Sequence, residues 1–262
     1  MKIASWNVNS LNVRLPHLLR WLDEARPDVV ALQETKLEDM KFPDGALAEV
    51  GYRSVFCGQK TYNGVAVVSR LPFARECISA IPGFDDPQKR VMAATVGDDP
   101  ATAIRIVDLY VVNGEAVGSE KFAYKLRWLA AVREWLQQEL AAHPRLVVLG
   151  DFNIAPDDRD VHDPKRWHKK ILCSTPEREA LASLHALGLH DSFRLFHEDA
   201  GHYSWWDYRL AAFQRGWGLR IDLVLVSDAL RAHCTAAGID LEPRGWERPS
   251  DHTPVWVEIE NG

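Results

Sequence analysis

Apolar residues along this chain fall into short runs of strand length, separated by stretches with helical spacing. Residues 2–8, 29–33, 64–69, 91–96, 104–111, 146–150, 221–226 and 254–258 are rich in Val and Ile and predict buried strands. Residues 13–25 predict a helix with Pro16 near its start and Leu18, Leu19, Trp21 and Leu22 on the apolar face. In residues 119–142, Ser119 is a candidate N-cap, and Phe122, Leu126, Leu129, Val132 and Leu136 recur at helical spacing. A third helix is expected over residues 176–187. Many strands and few helices predict an α/β (α+β) sandwich of two packed sheets with helices outside. No G-x-G-x-x-G follows the first strand, which argues against a doubly wound dinucleotide fold. With no long Pro/Gly linker and no internal repeat, residues 1–262 are expected to form one domain.

Several apolar strands end in polar, metal-competent residues. Ile3, Ser5, Asn7 and Asn9 alternate on one face of the first strand, so Asn7 emerges at its rim. LQETK delivers Glu34, and GDFN delivers Asp151 and Asn153, which point the same way if the chain stays extended. Asp222 lies among apolar neighbours, and Asp251 and His252 precede the last strand. Each has a structural alternative: GDFN fits a turn closed by an Asx hydrogen bond, Glu34 a charge at a helix terminus, and His252 a half-buried imidazole. Asp222 is harder to explain so, because a carboxylate among Ile221, Leu223 and Val224 needs a partner, and a His supplies one.

The residue types point to a chemistry. Glu34, Asp251 and Asn7 are hard oxygen ligands, suited to Mg²⁺ or Mn²⁺ rather than zinc. A hard cation in an acidic pocket with a His beside it fits phosphodiester hydrolysis by an in-line water. Asp151 is the candidate to orient and deprotonate that water, and Asp222 to hold His252 in its protonated form.

Composition adjusts this picture in three places. The chain of 262 residues is 47% apolar and 26% charged, as expected of a globular protein. Its 31 basic and 37 acidic residues sum to −6, which argues against loose polyanion binding but not against a cleft where a cation supplies positive charge. Cys57, Cys77, Cys173 and Cys234 are far apart and are read as free thiols. Without an apolar run of about 20 residues or a signal-like start, a cytoplasmic, membrane-free monomer is expected.

Taken together, WNVNS, LQETK, GQKTYNGVAVVS, GDFNIAP, SWWDYR, LRIDLVLVS and PSDHTPV resemble the exonuclease III family of abasic-site endonucleases, within the endonuclease/exonuclease/phosphatase superfamily. The resemblance implies a four-layered sandwich of two mixed sheets, and a metal-dependent nuclease acting at 3′ ends, at abasic sites or at nicks in duplex DNA. It implies Glu34 as the principal metal ligand with Asn7 and Asp251 close by, Asp151 assisted by Asn153 as water activator, and Asp222–His252 as a hydrogen-bonded pair. Tyr110 and Asn113 match the family's Tyr-x-Pro-Asn segment, whose side chains contact the scissile phosphate. Val112 stands in place of the Pro, which is expected to loosen that backbone.

On the same resemblance, Trp167 and His168 lie where a lesion-flanking loop is expected and match a bacterial subgroup biased toward 3′-end trimming. A bulky side chain there obstructs a flipped nucleotide while admitting a frayed 3′ end. Lys60, Tyr62 and Asn63 on one loop, with Arg90, are candidates to track duplex phosphates; a solvated hairpin turn is the alternative. Trp205, Trp206 and Leu219 match an apolar pocket that excludes a base, with a core role open for Trp206 and Trp217. Trp21, Trp128 and Trp135 are expected in the core. Two competing readings are a relative acting on a small phosphoester, which would not need the TYNG loop or the aromatic strip, and a DNA-binding scaffold with a decayed site.

Overall fold

The computed structural model describes residues 1–74 and 76–260. Among them the strands are β1 (Lys2–Asn7), β2 (Val29–Gln33), β3 (Arg53–Cys57), β4 (Val65–Ser69), β5 (Val91–Val96), β6 (Ile104–Tyr110) and β7 (Leu146–Asp151). The chain continues with β8 (Leu189–Asp191), β9 (Trp205–Trp206), β10 (Gly218–Leu219), β11 (Asp222–Ser227), β12 (Cys234–Ile239) and β13 (Val255–Ile259). The helices are α1 (Leu11–Ala25), α2 (Asp44–Glu49), α3 (Glu120–Ala142), α4 (Pro164–Trp167), α5 (Thr175–His185) and α6 (Asp228–Arg231).

Every strand read from the apolar runs is present, with its ends moved by a residue at most. Of the five additional strands, β3, β8 and β12 are sheet edges and β9 and β10 form a short ribbon of their own. An edge strand need not carry a continuous apolar run: β12 is CTAAGI, and the indole of Trp256 covers Gly238 so closely that an added Cβ would lie 2.6 Å from it. Pro16 is inside α1 rather than at its start. The hydrogen bond it removes would have gone to the carbonyl of Asn12, on an exposed turn where water substitutes. Ser119 caps α3 as expected, its side chain accepting from Phe122 N.

Eleven of the strands form a six-stranded sheet, β12-β13-β1-β2-β4-β3, and a five-stranded sheet, β5-β6-β7-β11-β8, while β9 and β10 pair only with each other. Both are mixed: β1 runs parallel to β2 and β6 to β7, and the other pairings are antiparallel. Three apolar layers hold the sandwich together. Ile3, Val29, Val67, Ile106, Val147 and Val257 fill the space between the sheets. Trp6, Leu18, Trp21 and Leu22 join the first sheet to α1, and Val107, Trp128, Leu129 and Leu184 join the second to α3 and α5. Trp21, Trp128 and Trp135 are core, as expected. Among the described residues no helix is long and apolar enough to cross a membrane.

The two-residue period of the strands makes the layer between the sheets change character along its length. Ile3, Ser5 and Asn7 share one face of β1, and Ile104, Ile106, Asp108 and Tyr110 the facing side of β6. The layer is apolar at one end. It turns polar at Ser5, Gln33 and Asp108, where Gln33 Nε2 donates to Asp108 Oδ1 at 2.7 Å, and then opens at Asn7, Tyr110 and Asp151. Gly150, just before that opening, has φ +141°, and a Cβ there would lie 1.9 Å from the Leu109 carbonyl oxygen. Gly150→Ala is therefore expected to destabilise the fold by about 1–3 kcal/mol, read as a lower urea midpoint; an unchanged midpoint would show that β6 and β7 part freely.

Candidate active site

Strand register carries the polar residues to one end of the sandwich. Asn7 pairs with Gln33 across β1 and β2, so Glu34 lies one residue beyond. Tyr110 pairs with Asp151 across β6 and β7, and Asp151 with Asp222 across β7 and β11. The backbone tightens here: Asn9, Glu34 and Asn153 all have positive φ, at 43°, 53° and 49°. Asn tolerates that conformation readily, whereas at Glu34 it is held against its own preference by the surrounding structure.

Two carboxylates converge at the centre. Asn7 Nδ2 donates to Glu34 Oε1 at 2.9 Å and to Asp151 Oδ2 at 3.0 Å. Lys36 Nζ lies 2.8 Å from Glu34 Oε2. Burial would raise the Glu34 carboxyl, but the Lys36 ammonium and the Asn7 amide bring it below its ordinary value. Burial, with the Asp222 and Glu34 charges, pushes Asp151 up to about 7 against the opposing pull of His252. Tyr110, buried and facing Glu34 and Asp151, is held well above the ordinary phenol range and stays protonated. Ligand atoms of Glu34, Asp151 and His252 all lie within 4.8 Å of one another. The two carboxylates of Glu34 and Asp151, the second held at about 7 by burial and its charged neighbours, form a setting that a hard cation neutralises, so the donors fit one.

His252 is the second centre. Its Nδ1 lies 2.9 Å from Asp222 Oδ2, and its Nε2 lies 3.7 Å from Asp151 Oδ2. Burial alone would lower the imidazole, but Asp222 and Asp151 override it and push its pKa up to about 10, so the ring is charged. Asp222 is itself fixed by Ser204, whose Oγ donates to Oδ2 at 2.6 Å and accepts from Asp222 N at 3.1 Å. Asp251 is spoken for differently: Asn9 Nδ2 and Trp205 Nε1 donate to its two oxygens at 2.8 and 3.0 Å. It is not one of the three groups within 4.8 Å of one another, and stands beside that cluster with both oxygens hydrogen-bonded.

Asn153 does not continue the strand. Its backbone turns, and both N and Nδ2 donate back to Asp151, at 2.9 and 3.2 Å. The extended geometry expected for Asp151 and Asn153 is thus replaced by an Asx-type turn that still aims both side chains at one point. Asn113 Nδ2 donates to Asn153 Oδ1 at 3.0 Å. Val112 is buried in the core, and the backbone beside it is tied to the second sheet by Val111 N, which donates to the Asp151 carbonyl.

Lys125 escaped the sequence reading. Its fully buried Nζ, on α3, reaches the carbonyls of Asn113 and Asn153 at 3.2 and 2.7 Å and pairs with Glu177 at 2.5 Å. A Lys on the inner face of a predicted helix was the available signal.

The DNA-contact candidates divide. Lys60 and Tyr62 are exposed on their loop, while Asn63 is buried and donates to Gln59 and Gln88. Arg90 is buried over the Tyr110 ring, 4.6 Å from its centroid, and donates to the Tyr110 carbonyl. Both are mostly buried, with internal hydrogen-bond partners. Trp206 and Leu219 are buried in the structure that supports β9 and β10 and do not line the open cleft. That cleft, about 640 Å³, is walled by His162, Trp167, Trp205, Arg209 and Trp217. Of the three expected pocket residues only Trp205 lines this cleft, along with Trp217. His168 is exposed beside α4, outside this lining. Arg220 is buried between Asp160 and Asp191.

A sandwich with a carboxylate cluster and a His–Asp pair at the opening between its two sheets defines a class of phosphoester hydrolases. The chain belongs to the Endonuclease/Exonuclease/phosphatase family, whose profile matches residues 4–252. It is 35% identical to Exodeoxyribonuclease III of Haemophilus influenzae, over 99% of this chain and 100% of that one. Among solved structures it is similar to the 3′ phosphatase NExo from Neisseria bound to product DNA hairpin, with 50% identity, TM-score 0.95 and 99% of each chain covered. An AP endonuclease from Archaeoglobus fulgidus matches with 34% identity and TM-score 0.93, again over 99% of each chain.

Proposed function

We propose that this protein is a DNA repair nuclease that hydrolyses phosphodiesters at the 3′ ends of duplex DNA. Its substrates are nicks, blocked 3′ ends and, less efficiently, internal abasic sites. The observation that carries the reading is the convergence of Glu34, Asp151 and the charged His252–Asp222 pair within one opening, beside a cleft walled by indoles and arginine. The whole chain acts as one domain and as a monomer, in the cytoplasm.

Glu34, with Asp151, would hold Mg²⁺, with Mn²⁺ as a substitute, and the Asn7 amide would keep the two carboxylates together beside it. When bound, the cation neutralises phosphate charge. Asp251 orients the site through Asn9 and Trp205.

In this reading Asp151 positions a water and takes its proton, held in aim by the two donors of Asn153. His252, charged and backed by Asp222, donates to a non-bridging phosphate oxygen. Tyr110 and Asn113 offer an O–H and an amide to the same phosphate. Lys60 and Tyr62 meet the duplex backbone. The aromatic cleft receives the 3′-terminal residue, and Trp167 narrows it against a nucleotide flipped from an intact strand.

A panel of defined duplexes tests this: an internal tetrahydrofuran, a 3′-phosphate, a 3′-phosphoglycolate and a recessed 3′-hydroxyl, each with Mg²⁺ and with EDTA. The 3′-end reactions should dominate and EDTA should stop them all; EDTA-resistant cleavage, or equal efficiency on the internal analogue, would overturn the reading. Trp167→Ala should raise internal cleavage relative to 3′-phosphate removal by about tenfold, the scale of a relieved steric block.

A further inference from the structure

Away from this opening, the segment after Phe193 brings together side chains of a different chemistry. One ligand atom each from His197, Asp199 and His202 lies within 4.8 Å of the other two. His202 Nε2 is 3.0 Å from Asp199 Oδ2, and the two imidazole centroids are 5.5 Å apart. Two imidazoles that bind one ion at about 2.0–2.1 Å place their centroids about 5 Å apart, so little movement is needed.

The surroundings fix these rings from outside the cluster. His197 Nε2 lies 2.9 Å from the Ala237 carbonyl on β12; donating its proton there leaves the Nδ1 lone pair free. A backbone carbonyl that holds the second N–H of a ligating imidazole is the usual support of a metal-bound His. Phe193 stacks on His197 with centroids 4.4 Å apart and meets His202 edge-on at 5.2 Å. Arg194, the neighbouring cation, is committed: Nη1 donates to the carbonyls of His197 and Asp199, and Nη2 pairs with the buried Asp160. Its charge is therefore largely offset.

We propose that His197, Asp199 and His202 form a second metal site, selective for a borderline divalent cation such as Zn²⁺, Ni²⁺ or Co²⁺. Two imidazoles and one carboxylate leave a fourth tetrahedral position for water. Imidazole ligands favour these ions over Mg²⁺, so this site and the carboxylate cluster take different metals from the same solution. Bound metal ties residues 197–202 to β12 through His197. That segment leads directly into Ser204, which holds Asp222, and Trp205, which holds Asp251. The site is thus a clip on the approach to the catalytic opening.

Co²⁺ is the probe, titrated into the EDTA-treated, dialysed full-length protein in excess Mg²⁺. One equivalent should bind with the visible absorption of a four-coordinate ion, be displaced by Zn²⁺, and raise Tm by several degrees. His197→Ala/His202→Ala should weaken Co²⁺ binding by about 100-fold or more, as should Asp199→Ala/His202→Ala if the first variant folds poorly by circular dichroism. Glu34→Gln/Asp151→Asn should leave the band intact. A band that survives the His substitutions but disappears with Glu34→Gln/Asp151→Asn would assign the ion to the first site and overturn the proposal. Wild-type binding no tighter than that of the His variants would overturn it equally.

Discussion

Asp151→Asn is expected to slow hydrolysis of a 3′-phosphate on duplex DNA by about 10²–10⁴-fold, with DNA affinity little changed. The substitution is nearly isosteric and sits on a buried strand end, so it removes charge and basicity rather than fold. It also removes one of the two carboxylates that keep His252 charged, so the proton donor to the phosphate weakens along with the base. The pH dependence follows from the same group. Burial raises the folded-state value of Asp151 to about 7, and only the ionised form accepts a proton, so the rate should rise with pH through that range. A bound cation moves the midpoint down, because positive charge favours the carboxylate. Single-turnover rates measured against pH should show this acidic limb in the wild type and not in Asp151→Asn. Retained cleavage within a few-fold would reassign the base.

Lys125→Met should destabilise the protein by about 3–5 kcal/mol, because it leaves Glu177 buried without its partner. Urea denaturation measures this directly. Lys125→Met/Glu177→Gln removes both charges and should recover part of the loss. It does not restore the hydrogen bonds from Nζ to the Asn113 and Asn153 carbonyls, so kcat should remain depressed after stability returns. A double variant with wild-type kcat would mean that the two loops hold their geometry without the ammonium. The pair is informative because Lys125 links α3, both catalytic loops and the start of α5, where Glu177 Oε2 accepts from Ser174 N.

The strands and the polar residues at their ends were legible because their signal is local. Strand-length runs rich in Val and Ile, ending at Asn7, Glu34 and Asp151, already describe a buried sheet that opens on a polar rim. Edge strands were less legible: β3 and β12 bury fewer of their side chains, so their runs are interrupted. The surroundings of the aromatic and basic residues were not legible for a related reason. Arg90, Arg220, Trp206 and Asn63 have the composition of a nucleic-acid face, but each finds partners inside the molecule.

The net charge of −6 acquires a location on the same terms. Part of the acidic excess is gathered in Glu34, Asp151, Asp222 and Asp251, which face one opening rather than the whole surface. With Arg90 and Arg220 turned inward, fewer basic groups remain for phosphate, so duplex binding should be modest and only shallowly salt-dependent.

The sequence alone determined the layers and the kinds of side chain at their polar end, because alternation along a strand and the chemistry of Glu, Asp and His do not depend on distant residues. Only the tertiary structure decided which of them meet. Asp251 is tied to Asn9 and Trp205, His252 stands between Asp151 and Asp222, and Lys125 binds two loops from below. These outcomes rest on hydrogen bonds between residues far apart in the chain. Burial makes each bond compulsory for its partners, and burial is a property of the packed molecule rather than of any segment.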